Sequence, residues 1–170
     1  MRVNVGEILR DPGARMDVLC RETIPDVDYC GTQVFEGPVT VSGEVRNRAG
    51  WVTFEGRIQA EGQVPCTRCL APARVERDIP LSLTLSEERA EDRDDYVYVE
   101  NGVLDLHDIV REELILSMDM TTLCRPDCKG LCPRCGRNLN TGGCGCSKTE
   151  ADPRWKGLEA LLSEPPEEMK

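Results

Sequence analysis

Cysteine is the residue type with the most evident chemistry in this chain, and six of its ten copies crowd between residues 124 and 146. Their spacing is C-x3-C-x3-C-x2-C-x8-C-x-C. Four thiolates complete the tetrahedron that a structural zinc ion prefers. The run therefore predicts a structural Zn²⁺ site with four cysteine ligands and no open coordination position for catalysis. The six candidate ligands are Cys124, Cys128, Cys132, Cys135, Cys144 and Cys146.

The centre of this run, residues 132–136, reads CPRCG and is typical of a zinc knuckle. Two residues between the cysteines bring both sulfurs to one side of a tight turn. Gly136 can adopt the positive φ that lets backbone N–H groups point at the thiolates. Because no histidine lies nearby, we expect the other two ligands to be thiolates as well. One would come from the cysteines before the knuckle and one from those after it.

A separate C-x2-C pair, Cys66 and Cys69, lies far upstream. Six cysteines exceed the need of one tetrahedral site, so either two are spare or a second metal recruits this pair; the spacing leaves both open. A thioredoxin-like redox motif would require the pair to open a helix after a strand. Here Leu70-Ala71-Pro72 and another strand pattern follow, which favours a turn-stabilising or metal-linked pair.

Disulfide bonds and an iron–sulfur cluster are the alternatives to zinc. Residues 1–18 carry charges where a signal peptide would have its apolar stretch, so we expect a reduced, cytoplasmic protein rather than a secreted disulfide scaffold. Iron–sulfur clusters also take four thiolates, but their usual ligand spacings differ from this one. Every apolar run is shorter than the roughly 18 residues of a membrane span, so no membrane partner is expected.

The elements that must position these cysteines are mainly β. Residues 37–64 alternate apolar and polar side chains on both sides of a turn at 47–50, which predicts a long antiparallel hairpin. Residues 74–85 predict a third strand, and a weaker one begins at Met16. Glycines at 43, 56 and 62 suggest bulges or a strongly bent sheet. The expected fold is mainly β (α+β), a curved antiparallel sheet or partial barrel.

One helix, at about 105–118, is expected to pack on this sheet, with Asp105 as its N-cap. Residues 86–95 hold mostly acids and should form a solvated loop. The predicted organisation has three parts. Residues 1–120 form the β-rich domain with the loop and helix, 121–148 form the cysteine-rich zinc segment, and 149–170 form a short helix and a disordered tail.

Charge is distributed unevenly along the chain. Lys and Arg number 21 and Asp and Glu 31, a net charge of −10, so most of the surface should repel RNA. Residues 121–148 reverse this bias, with five basic residues against Asp127 alone. A small RNA contact is therefore expected in that segment, whereas a protein partner is favoured over extensive RNA binding. The contact would use Arg125, Lys129, Arg134 and Arg137.

The single histidine, His107, offers a weak case for catalysis. It stands beside Asp108 at the start of the predicted helix, with no neighbouring nucleophile in the sequence. We therefore interpret it as a surface or packing residue and expect no enzyme.

Three segments together resemble the YceD family, whose members are called large ribosomal RNA subunit accumulation proteins. They read VPCTRCLAP at 64–72, CRPDCKGLCPRCGRNLNTGGCGC at 124–146, and Asp152-Pro153-Arg154. The likeness follows the order of nearly the whole chain. It implies a bacterial cytoplasmic protein needed for the synthesis, processing or stability of large-subunit (23S) rRNA, and it implies no catalytic residue. The expected protein partner is then a ribosome-assembly or rRNA-processing protein.

Two functions follow from the residues and the resemblance. The first is a non-enzymatic ribosome-biogenesis factor with a structural all-cysteine zinc site. The alternative is a redox-responsive zinc–thiolate module for protein interaction, because clustered thiolates beside basic residues are oxidisable and metal loss would unfold the loop.

Overall fold

A computed structural model describes residues 1–29, 31–88 and 96–146. It divides into two compact units, Met1–Gly130 and a second that begins at Leu131. The described residues contain nine strands and two helices. In chain order these are β1 (Arg2–Asn4), α1 (Gly6–Arg10), β2 (Arg15–Glu22), β3 (Asp28–Tyr29), β4 (Thr32–Gln33), β5 (Val39–Arg48), β6 (Trp51–Pro65), β7 (Pro72–Ser86), β8 (Val97–Tyr98), β9 (Val103–Asp105) and α2 (His107–Leu116).

The main element of the first unit is a five-stranded sheet in the order β2-β5-β6-β7-β8. Its pairs are antiparallel except β7–β8, which is parallel. The predicted hairpin, third strand and early strand are confirmed as β5–β6, β7 and β2. Among the described residues β2 and β8 do not pair with each other, so the sheet is open and does not close into a barrel.

The core lies under one side of this sheet, as the alternating sequence predicts. Along β5 and β6 the buried residues recur at every second position. Phe54 and Ile58 are fully buried on β6, and Val41 and Val45 face them from β5. Burying a side chain of this size stabilises the fold by about 1.5–3 kcal/mol. Period-two burial is what one wet face and one packed face produce.

Two facing glycines, Gly43 and Gly56, let the two strands approach closely beside a core ring. A Cβ on Gly56 would lie 2.7 Å from Cζ of Phe54, and one on Gly43 would lie 2.8 Å from the same atom. The register from Val52 to Pro65 is unbroken, so the expectation of bulges is wrong. These glycines make room for neighbouring atoms in a curved sheet.

The β5–β6 turn shows why its sequence specifies a hairpin. Ala49 and Gly50 both have positive φ, 53° and 92°, as a two-residue hairpin loop requires. The buried Asn47 accepts a hydrogen bond from Gly50 N–H at 2.8 Å through its side-chain oxygen. Its amide nitrogen donates to the carbonyls of Ile8 and Leu9, at 2.7 and 3.2 Å. One buried side chain therefore joins the end of α1 to this turn.

Helix α2 confirms the predicted helix, with its N-terminus placed differently. Leu106, rather than Asp105, occupies the N-cap position. The Asp105 carboxylate still accepts the His107 N–H at 3.0 Å, so it satisfies the first turn from one residue earlier. Leu106, Val110 and Leu114 are fully buried, which agrees with the apolar stripe that predicts this helix.

Several short elements are absent from the sequence prediction: α1, the β1–β9 pair and the β3–β4 pair. Other predictions fall on residues 30, 89–95 and 147–170, which lie outside the described residues. These are most of the acidic loop, the tail helix and the tail. The division of the chain after residue 120 stays a prediction. Within the described ranges, neither helix is long and apolar enough to cross a membrane.

Candidate metal centres

Four sulfurs in the first unit form one compact group, which we call the sheet cluster. Two come from the β6–β7 connection and two from the segment after α2. In this group Cys66 lies 3.8 Å from Cys128 and Cys69 lies 3.5 Å from Cys124, Sγ to Sγ. All four sulfurs lie within 4.8 Å of one another. Cys66, Cys69 and Cys128 are buried, and Cys124 is the most exposed of the four.

The β6–β7 connection folds into a tight turn that presents Cys66 and Cys69 on the same side. Leu70 N–H donates to the Cys66 carbonyl at 2.9 Å, and Cys66 N–H donates to the Ala71 carbonyl at 2.8 Å. Leu70 has φ 60°, a left-handed conformation that costs a non-glycine residue about 1–2 kcal/mol. Its side chain is 67% exposed, so packing does not offset this cost.

Three hydrogen bonds join this turn to the segment that carries the other two cysteines. Thr67 donates twice to the Thr122 carbonyl, from its N–H at 2.9 Å and from its hydroxyl at 3.2 Å. The Arg68 guanidinium donates to the Cys128 carbonyl at 3.0 Å. The two halves of the sheet cluster are thus held together by polar contacts outside the sulfurs.

Four further sulfurs, all in the second unit, form what we call the loop cluster. They belong to Cys132, Cys135, Cys144 and Cys146 and also lie within 4.8 Å of one another. Cys132 is buried and Cys135 is exposed. All four ligands come from fifteen consecutive residues, so this cluster needs no contact with a distant strand.

The turn of the loop cluster repeats the turn of the sheet cluster bond for bond. Gly136 N–H donates to the Cys132 carbonyl at 2.9 Å, and Cys132 N–H donates to the Arg137 carbonyl at 2.8 Å. Gly136 has φ 70°, as its place in the knuckle predicts. Next to the turn, the Asn138 side chain accepts hydrogen bonds from both the backbone and the side-chain nitrogen of Asn140.

Backbone N–H groups give one sulfur in the sheet cluster a thiolate environment. Burial of the Cys66 thiol opposes its ionisation, but N–H groups of Cys124, Arg68 and Cys69 donate to the sulfur and lower its pKa to about 6. Cys124 behaves oppositely, because the neighbouring Cys69 sulfur and burial raise its pKa to about 12.

The same division appears in the loop cluster. N–H groups of Cys135 and Arg134 donate to the Cys132 sulfur and lower its pKa to about 6. The neighbouring Cys135 sulfur and burial raise the pKa of the Cys146 thiol to about 12. In each cluster backbone N–H donors lower the pKa of one thiol and neighbouring sulfurs raise the pKa of another. A bound divalent cation would displace the remaining thiol protons.

Both groups fit tetrahedral zinc. Zinc–thiolate bonds of about 2.3 Å in a tetrahedron place the sulfurs about 3.8 Å apart. The two sulfur separations in the sheet cluster are 3.8 and 3.5 Å, so one equals that spacing and the other is slightly shorter. Backbone N–H groups donate to the sulfurs of Cys66 and Cys132, and such donors orient thiolate ligands toward a metal.

The structure therefore brings together all eight cysteines that the sequence singles out, in two sets. Cys124 and Cys128 join the upstream pair Cys66 and Cys69, and the remaining four join one another. This grouping is the one in which a second site recruits the upstream pair. The expectation that the knuckle is completed by one cysteine before it and one after it is wrong, because both of its partners follow it. The same pair is followed by a turn and β7, without the helix that a thioredoxin-like motif needs. That these cysteines ligate a metal stays a prediction.

Sequence reasoning missed the role of Leu70. Its positive φ closes the first turn as Gly136 closes the second, and the signal was available in the shared C-x-R-C spacing of the two turns. The basic residues Arg125, Lys129, Arg134 and Arg137 are exposed, as a contact with a partner requires.

His107 pairs with a carboxylate rather than with a cysteine. Its Nδ1 is 3.5 Å from a Glu22 carboxylate oxygen, and its side chain is 30% exposed. A partly buried histidine beside a carboxylate is consistent with its interpretation as a surface or packing residue.

A predominantly β protein with two tetracysteine clusters is the class that this fold and these sites define. Within that class, residues 54–162 match the family model of YceD, described as large ribosomal RNA subunit accumulation protein. The matched range contains both clusters. The chain belongs to the YceD family.

The chain is similar to proteins from bacteria and plants. An uncharacterized Bacillus subtilis protein, YlbN, is 30% identical over 75% of this chain and 76% of its own length. An uncharacterized Mycobacterium tuberculosis protein is 26% identical over 95% of this chain and 81% of its own. A Zea mays protein named large ribosomal RNA subunit accumulation protein YCED homolog 1, chloroplastic, is 27% identical over 64% of this chain and 48% of its own. No solved structure matches the chain significantly.

Proposed function

We propose that this protein supports the accumulation of large-subunit (23S) rRNA in the bacterial cytoplasm as a non-catalytic factor, and that each of its cysteine clusters holds a structural zinc ion. Membership of the YceD family carries the rRNA assignment, since the family description and the Zea mays relative both name that role. The sulfur geometry supports the zinc assignment.

The donor set explains why the metal would be structural. Four thiolates fill the tetrahedron of zinc and leave no position for water or substrate. Zinc would tie the β6–β7 turn to residues 124–128 in the sheet cluster. In the loop cluster it would fold a segment that is rich in glycine and poor in apolar residues.

The charge distribution supports a protein partner, with at most a small RNA footprint. The chain carries a net charge of −10, which disfavours broad contact with phosphates. The basic residues that stand out lie between Arg125 and Arg137, around the cysteines. Affinity purification at two salt concentrations, with and without nuclease, separates the cases: partners retained after nuclease treatment bind through protein.

The biological half of the proposal is tested by deleting the gene in a bacterium that carries it and quantifying mature 23S rRNA against 16S rRNA. We expect a selective fall in 23S rRNA that the wild-type gene restores. The Cys132→Ser, Cys135→Ser variant serves as the matched complementation arm, because it removes the loop cluster alone. Unchanged 23S rRNA in a clean deletion would overturn this half.

The chemical half is tested by metal analysis of protein purified without chelator. Two zinc ions per chain are expected, one for each cluster. The Cys132→Ser, Cys135→Ser variant should retain one. Since Zn²⁺ has a filled d shell, the protein should be colourless; visible absorption with bound iron would instead indicate an iron–sulfur cluster.

A redox-responsive zinc–thiolate module is the second candidate, and the exposure of Cys135 favours it. An exposed thiolate is open to peroxide, and its oxidation would release the metal and unfold the segment. Mild peroxide followed by a colorimetric zinc assay distinguishes the two functions. Release of one zinc, reversed by a thiol reductant, would support the switch; full retention would count against it.

A further inference from the structure

The two long outer edges of the five-stranded sheet are both incompletely paired. Among residues 1–29, 31–88 and 96–146, no strand pairs with the outer side of β2. On the opposite side, β8 covers only Leu85 and Ser86 of the fifteen-residue β7. A row of unpaired backbone N–H and C=O groups is a template on which another strand can pair.

The hairpin register determines which groups of β2 face outwards. The backbone groups of Asn47, on β5, point toward the β2 side of the sheet. Its N–H donates to the Ala14 carbonyl, and its carbonyl accepts from the Gly13 N–H. Residues two apart on a strand point the same way, so Val45 and Val41 also face β2 and bond Met16 and Cys20. The alternate residues of β2 therefore present their backbone groups to the free edge. They are Arg15, Asp17, Leu19 and Arg21.

The edge of β7 carries features that oppose pairing, and the edge of β2 does not. By the same alternation Pro80 lies among the outward-facing residues of β7, and a proline offers no N–H for a ladder. Charged residues, Arg74, Glu76 and Asp78, occupy the outward positions beside it. In β2 there is no proline, and Leu19 stands at the centre with its side chain 76% exposed.

We infer that β2 pairs antiparallel with β2 of a second copy of this chain, with Leu19 facing Leu19. In such a pairing each residue with outward-facing backbone groups must lie opposite another of the same kind. The allowed registers therefore differ by shifts of two residues along one strand. This register places Asp17 opposite Arg21 in both directions. Shifting the partner strand by two residues places Arg15 opposite Arg21, and shifting it by two more in the same direction places Asp17 opposite Asp17. Both shifts bring like charges together. Among the registers that overlap at least five residues of β2, charge complementarity therefore selects this one.

The pairing joins two five-stranded sheets into one. Each outward-facing pair contributes two backbone hydrogen bonds, and each Asp17–Arg21 pair adds an opposite-charge contact across the strands. On the inner side Val18 faces Cys20, so the half-buried face of β2 is extended. The net charge of −10 per chain opposes association, but the charges of β2 itself nearly balance, and distant charges are screened beyond about 8 Å at physiological salt.

Sedimentation equilibrium of the full-length zinc-loaded protein, in reductant and at about 0.15 M salt, tests the inference. The wild-type protein should be a concentration-dependent dimer. Asp17→Arg sets arginine against arginine twice and should weaken dimerisation roughly tenfold or more. Adding Arg21→Asp to that variant restores two opposite-charge pairs and should restore the dimer. All the changed side chains are exposed, so the fold should tolerate them.

The matched control is Glu76→Arg, the same change of charge on the outward edge of β7. It should leave association unchanged. A second variant, Leu19→Lys, places two lysines at the two-fold axis and should also dissociate the dimer. A wild-type protein that stays monomeric at all accessible concentrations would overturn the inference. So would a dimer that Asp17→Arg and Leu19→Lys leave intact.

Discussion

The sheet cluster and the loop cluster use the same turn but depend on different parts of the chain. In the sheet cluster Cys66 meets Cys128 across 62 residues of sequence, and three hydrogen bonds outside the sulfurs join the two segments. The loop cluster takes all its sulfurs from residues 132–146. One cluster therefore joins two distant segments of the first unit, whereas the other lies within a single short segment.

The largest expected effect comes from removing the upstream pair. Cys66→Ser with Cys69→Ser should lower the free energy of unfolding of the first unit by several kcal/mol, because zinc binding energy is folding energy and because both side chains are buried. In a thermal melt followed by circular dichroism, we expect a fall on the order of 10 °C or more.

The control for that variant is Cys132→Ser with Cys135→Ser. It should leave the melting of the sheet nearly unchanged and abolish amide hydrogen-exchange protection only in 131–146. Equal losses of sheet stability in the two variants would contradict the proposed difference between the clusters.

A smaller effect is expected from the contact that joins the two halves of the sheet cluster. Arg68→Ala removes the hydrogen bond to the Cys128 carbonyl and should cost about 1–1.5 kcal/mol, or roughly tenfold in zinc retention against a competing chelator. Arg134→Ala changes the equivalent position of the other turn. It should leave zinc retention by the sheet cluster unaltered. A similar loss of zinc from the sheet cluster would show that the effect comes from removing a positive charge and not from losing the Arg68 hydrogen bond.

The smallest effects should have opposite signs in the two turns. Leu70→Gly relieves a left-handed residue whose side chain is mostly exposed, so it should stabilise the sheet cluster by about 1 kcal/mol. Gly136→Ala introduces the same strain and should destabilise the loop cluster by a similar amount. Chemical denaturation measures the first and chelator competition the second. Effects of the same sign would mean that the two turns are not equivalent.

The sheet could be predicted from sequence because its signals are local. Alternation over residues 37–64 and the turn at 47–50 specify a hairpin, and the structure places Arg48 opposite Trp51 around that turn. By contrast, α1 has five residues and no side-chain cap, and β1 pairs with β9 across about a hundred residues. Such short elements gain their stability from tertiary contacts, which leave no periodic pattern.

The candidate site also has a part set by local sequence and a part set by long-range contacts. The knuckle at 132–136 was recognisable because its geometry depends on neighbours within five residues. The grouping of Cys66 with Cys128 depends on the path of the whole chain between them, so spacing left two alternatives open. Leu70 was missed because a left-handed leucine is unfavourable in isolation, and the hydrogen bonds of its turn decide its conformation.

The distance between the two halves of the sheet cluster also sets an order of events during synthesis. Chains emerge from the ribosome N-terminus first at about 5–20 residues per second, so Cys66 waits on the order of 3–12 s for Cys128, 62 residues later. During that interval the hairpin strands are already available while two thiols have no downstream partners. Nascent chains should therefore be most sensitive to oxidants before residue 128 appears. The loop cluster is completed within fifteen residues, so its thiols should stay without partners for a much shorter time.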